Sequence, residues 1–295
     1  MKELTKYDPI KYWKEEITKA KSMGDFGWGS YSTESDEKGQ YIISIDKYYC
    51  NKLKQLCKNN NLVMYTFLLS VLKINISKYF SNDNVTIGIP CYRDEQKNRV
   101  MLNKVLPLTS YIDLEESFAN YMLSNKDKIL NLYKNQSYLN SKILQDENVS
   151  SDLMELTPIN VCMEGLHEVR DIEYISNSNK SELSFIFEEF KEDTTNILIK
   201  FNRNKFSEDN IKMLCNCFFS LLNSVLIDYK QKILDMDILS EEEENKILYE
   251  FNDTEVKYSK VITIQEVFEK QVEKTPDNIA VVFEGKPLTY RELNE

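Results

Sequence analysis

Apolar positions along this chain follow two periods. Trp13 and Ile17 stand four apart behind Asp8-Pro9, a cap followed by proline in the first turn, and predict a helix over 10–23. A polar, glycine-bearing stretch over 24–40 reads as a loop. Residues 41–45 read as a strand, and Asp46 as the cap of a helix through Leu53, Leu56 and Cys57. Residues 62–80 are apolar on most sides and predict a long, largely buried helix. The β-branched run 84–90 (Asn-Val-Thr-Ile-Gly-Ile-Pro) predicts a strand that stops at proline, and 104–112 a second strand. Asp113 with Glu116 reads as a cap pair before a helix carrying Phe118, Tyr121, Met122, Ile129 and Tyr133.

Strands are predicted next at 159–163, 172–175, 183–190 and 196–201. Ser207 then caps a helix with Ile211, Leu214, Cys215, Phe218, Leu222, Val225 and Tyr229 on one stripe. Strands alternating with long helices predict an α/β architecture. After Leu239 the texture changes. Ser240-Glu-Glu-Glu243 is a capping box, and Asn252-Asp253-Thr254 is a turn-rich linker. Thr263-Ile-Gln-Glu266 opens a further amphipathic helix closed by Thr275-Pro276, and 279–283, 284–286 and 287–290 read as strand, turn, strand. The chain stops inside one more capping box, Thr289-x-x-Glu292, which suggests a sequence cut there.

Composition removes several function classes. The chain has 295 residues, net charge −11, one histidine and seven glycines. A single imidazole, His167, builds no HExxH helix or two-histidine metal site, and neither GxGxxG nor a Walker-type loop occurs, so no metal site is expected. His167 itself, beside Glu168, reads as a surface or loop-edge residue. Acidity with scattered Lys and Arg argues against nucleic-acid binding. The run Glu241 to Glu244 reads as a solvated helix start. No apolar run approaches the roughly 18 residues a membrane-spanning helix needs, and no membrane partner is expected. Met1-Lys2-Glu3 leads into charged residues without a signal-peptide pattern. Cys50, Cys57, Cys91, Cys162, Cys215 and Cys217 show no CxxC or ligand spacing and read as reduced, mostly buried thiols of a cytoplasmic protein.

Motifs carry the argument further. Phe268 to Gly285 followed by Leu288-Thr289-Tyr290-Arg-Glu292-Leu293-Asn-Glu resembles the opening of a nonribosomal peptide synthetase adenylation (AMP-binding) domain, whose first motif is Leu-Thr-Tyr-x-Glu-Leu. Phe251-Asn252-Asp253-Thr254 resembles the Trp-Asn-x-Thr linker between condensation and adenylation domains, with Phe251 at the tryptophan position. Upstream, Tyr12-Trp13-Lys14 resembles the helix after the family's interlobe crossing. Gly88-Ile-Pro90-Cys-Tyr-Arg93 matches its Gly-x-Pro-x-x-Arg strand end. Leu106-Pro107-Leu108 matches its Leu-Pro-Leu-Arg strand, with Thr109 replacing arginine. Asn135-Gln136-Ser137-Tyr138 stands where His-Gln-Asp-Tyr is usual.

The resemblance implies three segments: 1–239 as the C-terminal lobe of a condensation domain, 240–261 as linker, and 262–295 as the start of an adenylation domain. It implies a chloramphenicol-acetyltransferase-like α/β lobe, a mixed sheet packed with long helices, plus a short truncated α/β appendage. The family's His-His-x-x-x-Asp-Gly motif does not occur in this sequence, and His167 does not replace it, so no catalytic residue is assigned. Arg93 is the candidate for an ion pair with that motif's aspartate from the other lobe. Asp25-Phe26-Gly27-Trp28-Gly29 resembles a signature of plant acyl-CoA-dependent acyltransferases, but reads here as a loop anchored by two aromatics. No Leu-Gly-Gly-x-Ser carrier motif is present, so the phosphopantetheine arms implied by the family belong to partner carrier proteins, and no cofactor is expected on the chain. The expected role is a structural, carrier-protein-facing platform in a synthetase, such as an initiation module, catalytically inactive alone. Two alternatives stand beside it: half of a split condensation enzyme paired with an N-terminal lobe, and a stand-alone carrier-protein binding module.

Overall fold

A computed structural model describes residues 8–21, 38–92, 103–149, 153–190, 194–238, 248 and 263–295. The chain divides into two compact units, Met1–Glu242 and Glu243–Glu295. In the first unit the element order is α1 (Pro9–Lys21), β1 (Lys38–Ile45), α2 (Lys47–Cys57), α3 (Asn61–Phe80), β2 (Asn84–Pro90), β3 (Val105–Tyr111), α4 (Phe118–Asn135) and α5 (Ser141–Asp146). It continues with β4 (Ile159–Met163), α6 (Val169–Asn177), β5 (Leu183–Phe187), β6 (Thr195–Asn202) and α7 (Glu208–Ile227). The strands form one mixed sheet ordered β1-β6-β5-β4-β2-β3. Strands β2, β4 and β5 run parallel to one another, and the other pairings are antiparallel.

Helix α3 is the centre of the core. Every residue from Met64 to Ser77 is buried, the burial expected of a helix that is apolar all round. Its few polar groups are bonded outward to each neighbour. Tyr65 donates to Val161 of β4 (2.8 Å), Lys73 to Leu108 of β3 (3.1 Å) and Asn75 to Leu214 of α7 (2.9 Å). Asn125 of α4 donates to Ser70 (3.1 Å). These bonds offset part of the desolvation penalty of buried polar groups and fix the helix in register. Helix α7 lies beside α3 and covers the sheet with Ile211, Leu214, Cys215, Phe218, Leu222 and Val225. By length and composition it is apolar enough to cross a membrane, contrary to the expectation that no such run exists. The buried stripe shows why it is apolar: it is core.

Local chemistry explains the boundaries. Asp46, Asn60, Ser117, Asn140 and Ser207 each accept a backbone N–H at a helix start, and Ser207 with Asn210 closes a capping box. Three expectations are corrected. The cap of α4 is Ser117, while Asp113 and Glu116 make the turn before it. Residues 172–175 are not a strand but the middle of α6, where Asp171, Ile172, Ile175 and Ser176 form a buried stripe at helical spacing. Tyr229 lies beyond the end of α7 and is exposed. All six cysteines are buried thiols outside any disulfide, and burial pushes the Cys57 and Cys215 thiols up to about 12.

The second unit holds α8 (Ile264–Lys274), β7 (Ile279–Phe283), β8 (Lys286–Thr289) and α9 (Tyr290–Asn294). Strands β7 and β8 pair antiparallel across Glu284-Gly285, both at positive φ. Capping boxes at Thr263/Glu266 and Thr289/Glu292 open the two helices. The Ser240 box and the linker residues Asn252 and Thr254 lie outside the described residues.

Candidate functional site

Strands β2 and β4 end side by side, and all four upstream motif segments meet at the end of β2, where Leu106 and Pro107 pair with Ile89 and Gly88. In open α/β sheets the carboxyl ends of parallel strands are where sites form. Gly88 pairs with Asn160 across the β2–β4 junction. A Cβ at Gly88 would stand 2.0 Å from the Asn160 Oδ1, so only glycine lets the two strands close. After Pro90 the chain stays tied down. Cys91 donates its N–H to Lys104 (3.0 Å) and its Sγ–H to the Asn103 carbonyl (3.1 Å).

The next residue, Tyr92, is gripped by α4. Gln136, in the 3-10 turn that ends α4, accepts the Tyr92 N–H on Oε1 (3.0 Å) and donates Nε2 to the Tyr92 carbonyl (2.7 Å). One side-chain amide therefore satisfies both backbone groups of one residue. Trp13 of α1 is fully buried and donates Nε1 to the Asn135 carbonyl (2.9 Å), which anchors the same turn from behind. Tyr12 packs edge-on to Trp13, with ring centroids 5.5 Å apart. Tyr138 is not drawn in: its side chain is exposed on the turn. Thr109, at the position where the family has arginine, shares a hydroxyl hydrogen bond of 2.6 Å with Thr86. Arg93 and the 25–29 loop lie outside the described residues.

His167 is corrected from a surface residue to a buried one, 6% exposed. Its Nδ1 accepts the Met163 N–H (3.0 Å), and Nε2 stands 3.0 Å from the Tyr133 hydroxyl. The ring of Tyr65 packs edge-on to it at 4.9 Å. Burial among these groups holds the imidazole pKa down to about 3, so it is neutral at physiological pH. Both ring nitrogens are engaged within the fold. Tyr133 in turn stacks on Tyr92, centroids 5.4 Å apart. Charges nearby pair among themselves: Lys104 with the buried Asp171 at 3.7 Å, and Arg170 with Glu168 at 2.7 Å. Among the described residues no His, Cys, Asp and Glu side chains gather as a metal site. The constellation holds the Tyr92 backbone in place.

Sequence reasoning missed Tyr92, Tyr133 and His167 as one cluster. The available signal was the Tyr133/Gln136 spacing of three, which puts both on one face at the end of α4. In the second unit the motif residues are structural. Thr289 and Glu292 cap α9, Tyr290 packs on Phe268 at 5.9 Å, and Leu288 and Leu293 are exposed.

Comparisons with known proteins agree with this architecture. The condensation-domain profile matches residues 9–248. The chain is 28% identical over 277 residues to gramicidin S synthase 2 of Brevibacillus brevis, covering 89% of this chain and 6% of that protein. It is 31% identical over 280 residues to bacitracin synthase 2 of Bacillus licheniformis, covering 89% of this chain and 10% of that one. The chain thus spans a tenth or less of the length of these two relatives. A crystal structure of a holo four-domain nonribosomal peptide synthetase bound to AMP and glycine shares the fold with TM-score 0.73 at 14% identity, over 97% of this chain and 24% of that one. The X-domain from teicoplanin biosynthesis does so with TM-score 0.61 at 14% identity, over 80% and 58%. By fold, by motif and by a profile that covers most of its length, this chain belongs to the condensation-domain family of nonribosomal peptide synthetases.

Proposed function

We propose that residues 1–239 act as the C-terminal lobe of a condensation domain, that 240–261 are a linker and that 262–295 are the opening of an adenylation domain. In this reading the lobe is a structural wall facing carrier proteins, whose pantetheine thioesters are the substrates. The observation that carries it is the Gln136 clamp on Tyr92, with bonds of 3.0 and 2.7 Å, because it joins two separated family motifs at one strand end. Arg93, the residue after Tyr92 in the sequence, is the proposed partner of an aspartate of the complementary lobe. The second unit supports the adenylation reading through its strand–turn–strand and through the cap formed by Thr289 and Glu292, two residues of the Leu-Thr-Tyr-x-Glu-Leu motif.

The chemistry of the family reaction defines what this chain does and does not supply. As an acceptor amine attacks a thioester carbonyl, a C–N bond forms, the C–S bond breaks, the amine loses a proton and the leaving sulfur takes one. A positioned imidazole is typically worth 10²–10⁴-fold in such a transfer. The one imidazole in this sequence is neutral, buried and bonded at both nitrogens. Its contribution is positional. Titrating the purified chain with a pantetheine-loaded carrier protein, followed by fluorescence anisotropy, tests the platform role. Saturable binding in the micromolar range is expected, and no binding at about 1 mM carrier protein, a free energy below about 4 kcal/mol, overturns it.

A further inference from the structure

We propose that His167 and Tyr133 form a positioning relay that fixes the backbone at Tyr92, one residue before Arg93. Its functional weight rests on the reading above, but its geometry does not. The tautomer of the imidazole follows from its partners. The Met163 N–H points at Nδ1 from 3.0 Å, so the neutral ring carries its proton on Nε2 and donates it to the Tyr133 oxygen, also at 3.0 Å. Met163 also accepts the His167 N–H through its carbonyl (3.0 Å), so the last residue of β4 holds the histidine at both backbone and ring. Gly165 makes the turn between them, at φ +76, a conformation glycine adopts without strain.

Tyr133 transmits this anchorage outward. Its hydroxyl is fixed on His167, so its ring cannot swing, and that ring is the surface on which Tyr92 stacks at 5.4 Å. Three residues on, Gln136 clamps the Tyr92 backbone. Residue 92 is therefore held by its side chain and by its main chain from one helix end. Tyr92 remains half-exposed, which means that packing alone does not immobilise it. The relay connects the ends of β4, α4 and β2 through one line of contacts, Met163–His167–Tyr133–Tyr92.

Amide hydrogen exchange in the full chain tests this, followed by NMR at the Tyr92 N–H. Tyr133→Phe deletes only the hydroxyl. It is expected to speed Tyr92 exchange about tenfold, the order of one hydrogen bond. Tyr65→Phe is the control, since Tyr65 packs on the same imidazole and its hydroxyl is bonded to Val161. It is expected to leave Tyr92 unchanged. An unchanged Tyr92 in Tyr133→Phe, or equal acceleration in both variants, overturns the relay. The wild-type chain gives a check that needs no variant: its one imidazole should show a protonated Nε2 and a bare Nδ1 in a ¹⁵N spectrum, and the opposite tautomer overturns the proposal. No step reads carrier binding, so either proposal can fail while the other stands.

Discussion

Because His167 is the chain's one histidine, its imidazole reports on the site without ambiguity. An exposed histidine titrates near pH 6.5, whereas burial holds this one at about 3. Its proton NMR lines are expected to stay fixed between pH 8 and 5, and a midpoint near 6.5 would place the ring in solvent. The same shift has a consequence for stability. Below pH 6.5 the unfolded chain binds a proton that the folded chain refuses until about pH 3. Stability from this group is thus complete above pH 6.5 and falls as the pH drops, by at most about 1.4 kcal/mol per unit. Gly88 makes a sharper demand. Gly88→Ala forces a methyl against Asn160 inside a closed sheet and is expected to destabilise by about 1–3 kcal/mol in urea unfolding. Of these residues, Gly88, Trp13 and Gln136 were legible as motif positions. His167 was not, because its burial is decided by Tyr65 and Tyr133, which are distant in the sequence, while its neighbour Glu168 has the polarity of a surface.

At the scale of elements, apolar periodicity and caps located most helices and strands. The strands Asn84–Pro90 and Ile159–Met163 fell on their expected bounds, because proline, glycine and polar residues bracket them. Helix α6 was misread since Ile172 and Ile175 lie in a window too short to separate the periods of 2 and 3.6. The buried Asp171, paired with Lys104, made the stripe look broken. Helix α3 carries the largest anomaly of its class, a fully buried lysine amid apolar residues. Burial, with the neighbouring Lys128 adding to it and Glu16 opposing it, holds the Lys73 pKa well below its ordinary range. The unfolded chain therefore takes up a proton that the folded chain resists, and stability from this group falls as pH drops below about 10.5. Lys73→Met removes that penalty and fills similar volume. It is expected to raise stability at pH 7 by about 1–4 kcal/mol, with the gain shrinking toward pH 10. A loss at pH 7 would show that the Leu108 hydrogen bond outweighs the charge.

The first unit is a mixed α/β sheet with Trp13, Gly88, Pro90 and Gln136 gathered at the end of β2, and the second is a small unit with a strand pair and two capped helices. The fold class was legible because strands and long helices alternate along the chain. The convergence of α1, α4 and β2 on Tyr92 was not, since it depends on tertiary contacts that no local pattern encodes. In the proposed reading this lobe is one wall of a condensation site whose imidazole a complementary lobe would supply. The most direct test of that reading is amide formation between two loaded carrier proteins, read by mass spectrometry of the released dipeptide. The chain is assayed alone and then fused behind an N-terminal lobe bearing His-His-x-x-x-Asp-Gly. The account predicts no dipeptide above background from the chain alone, turnover by the fusion, and a loss of about 10²-fold or more when the second motif histidine is replaced. Dipeptide from the chain alone, or a folded fusion that makes none, would contradict it.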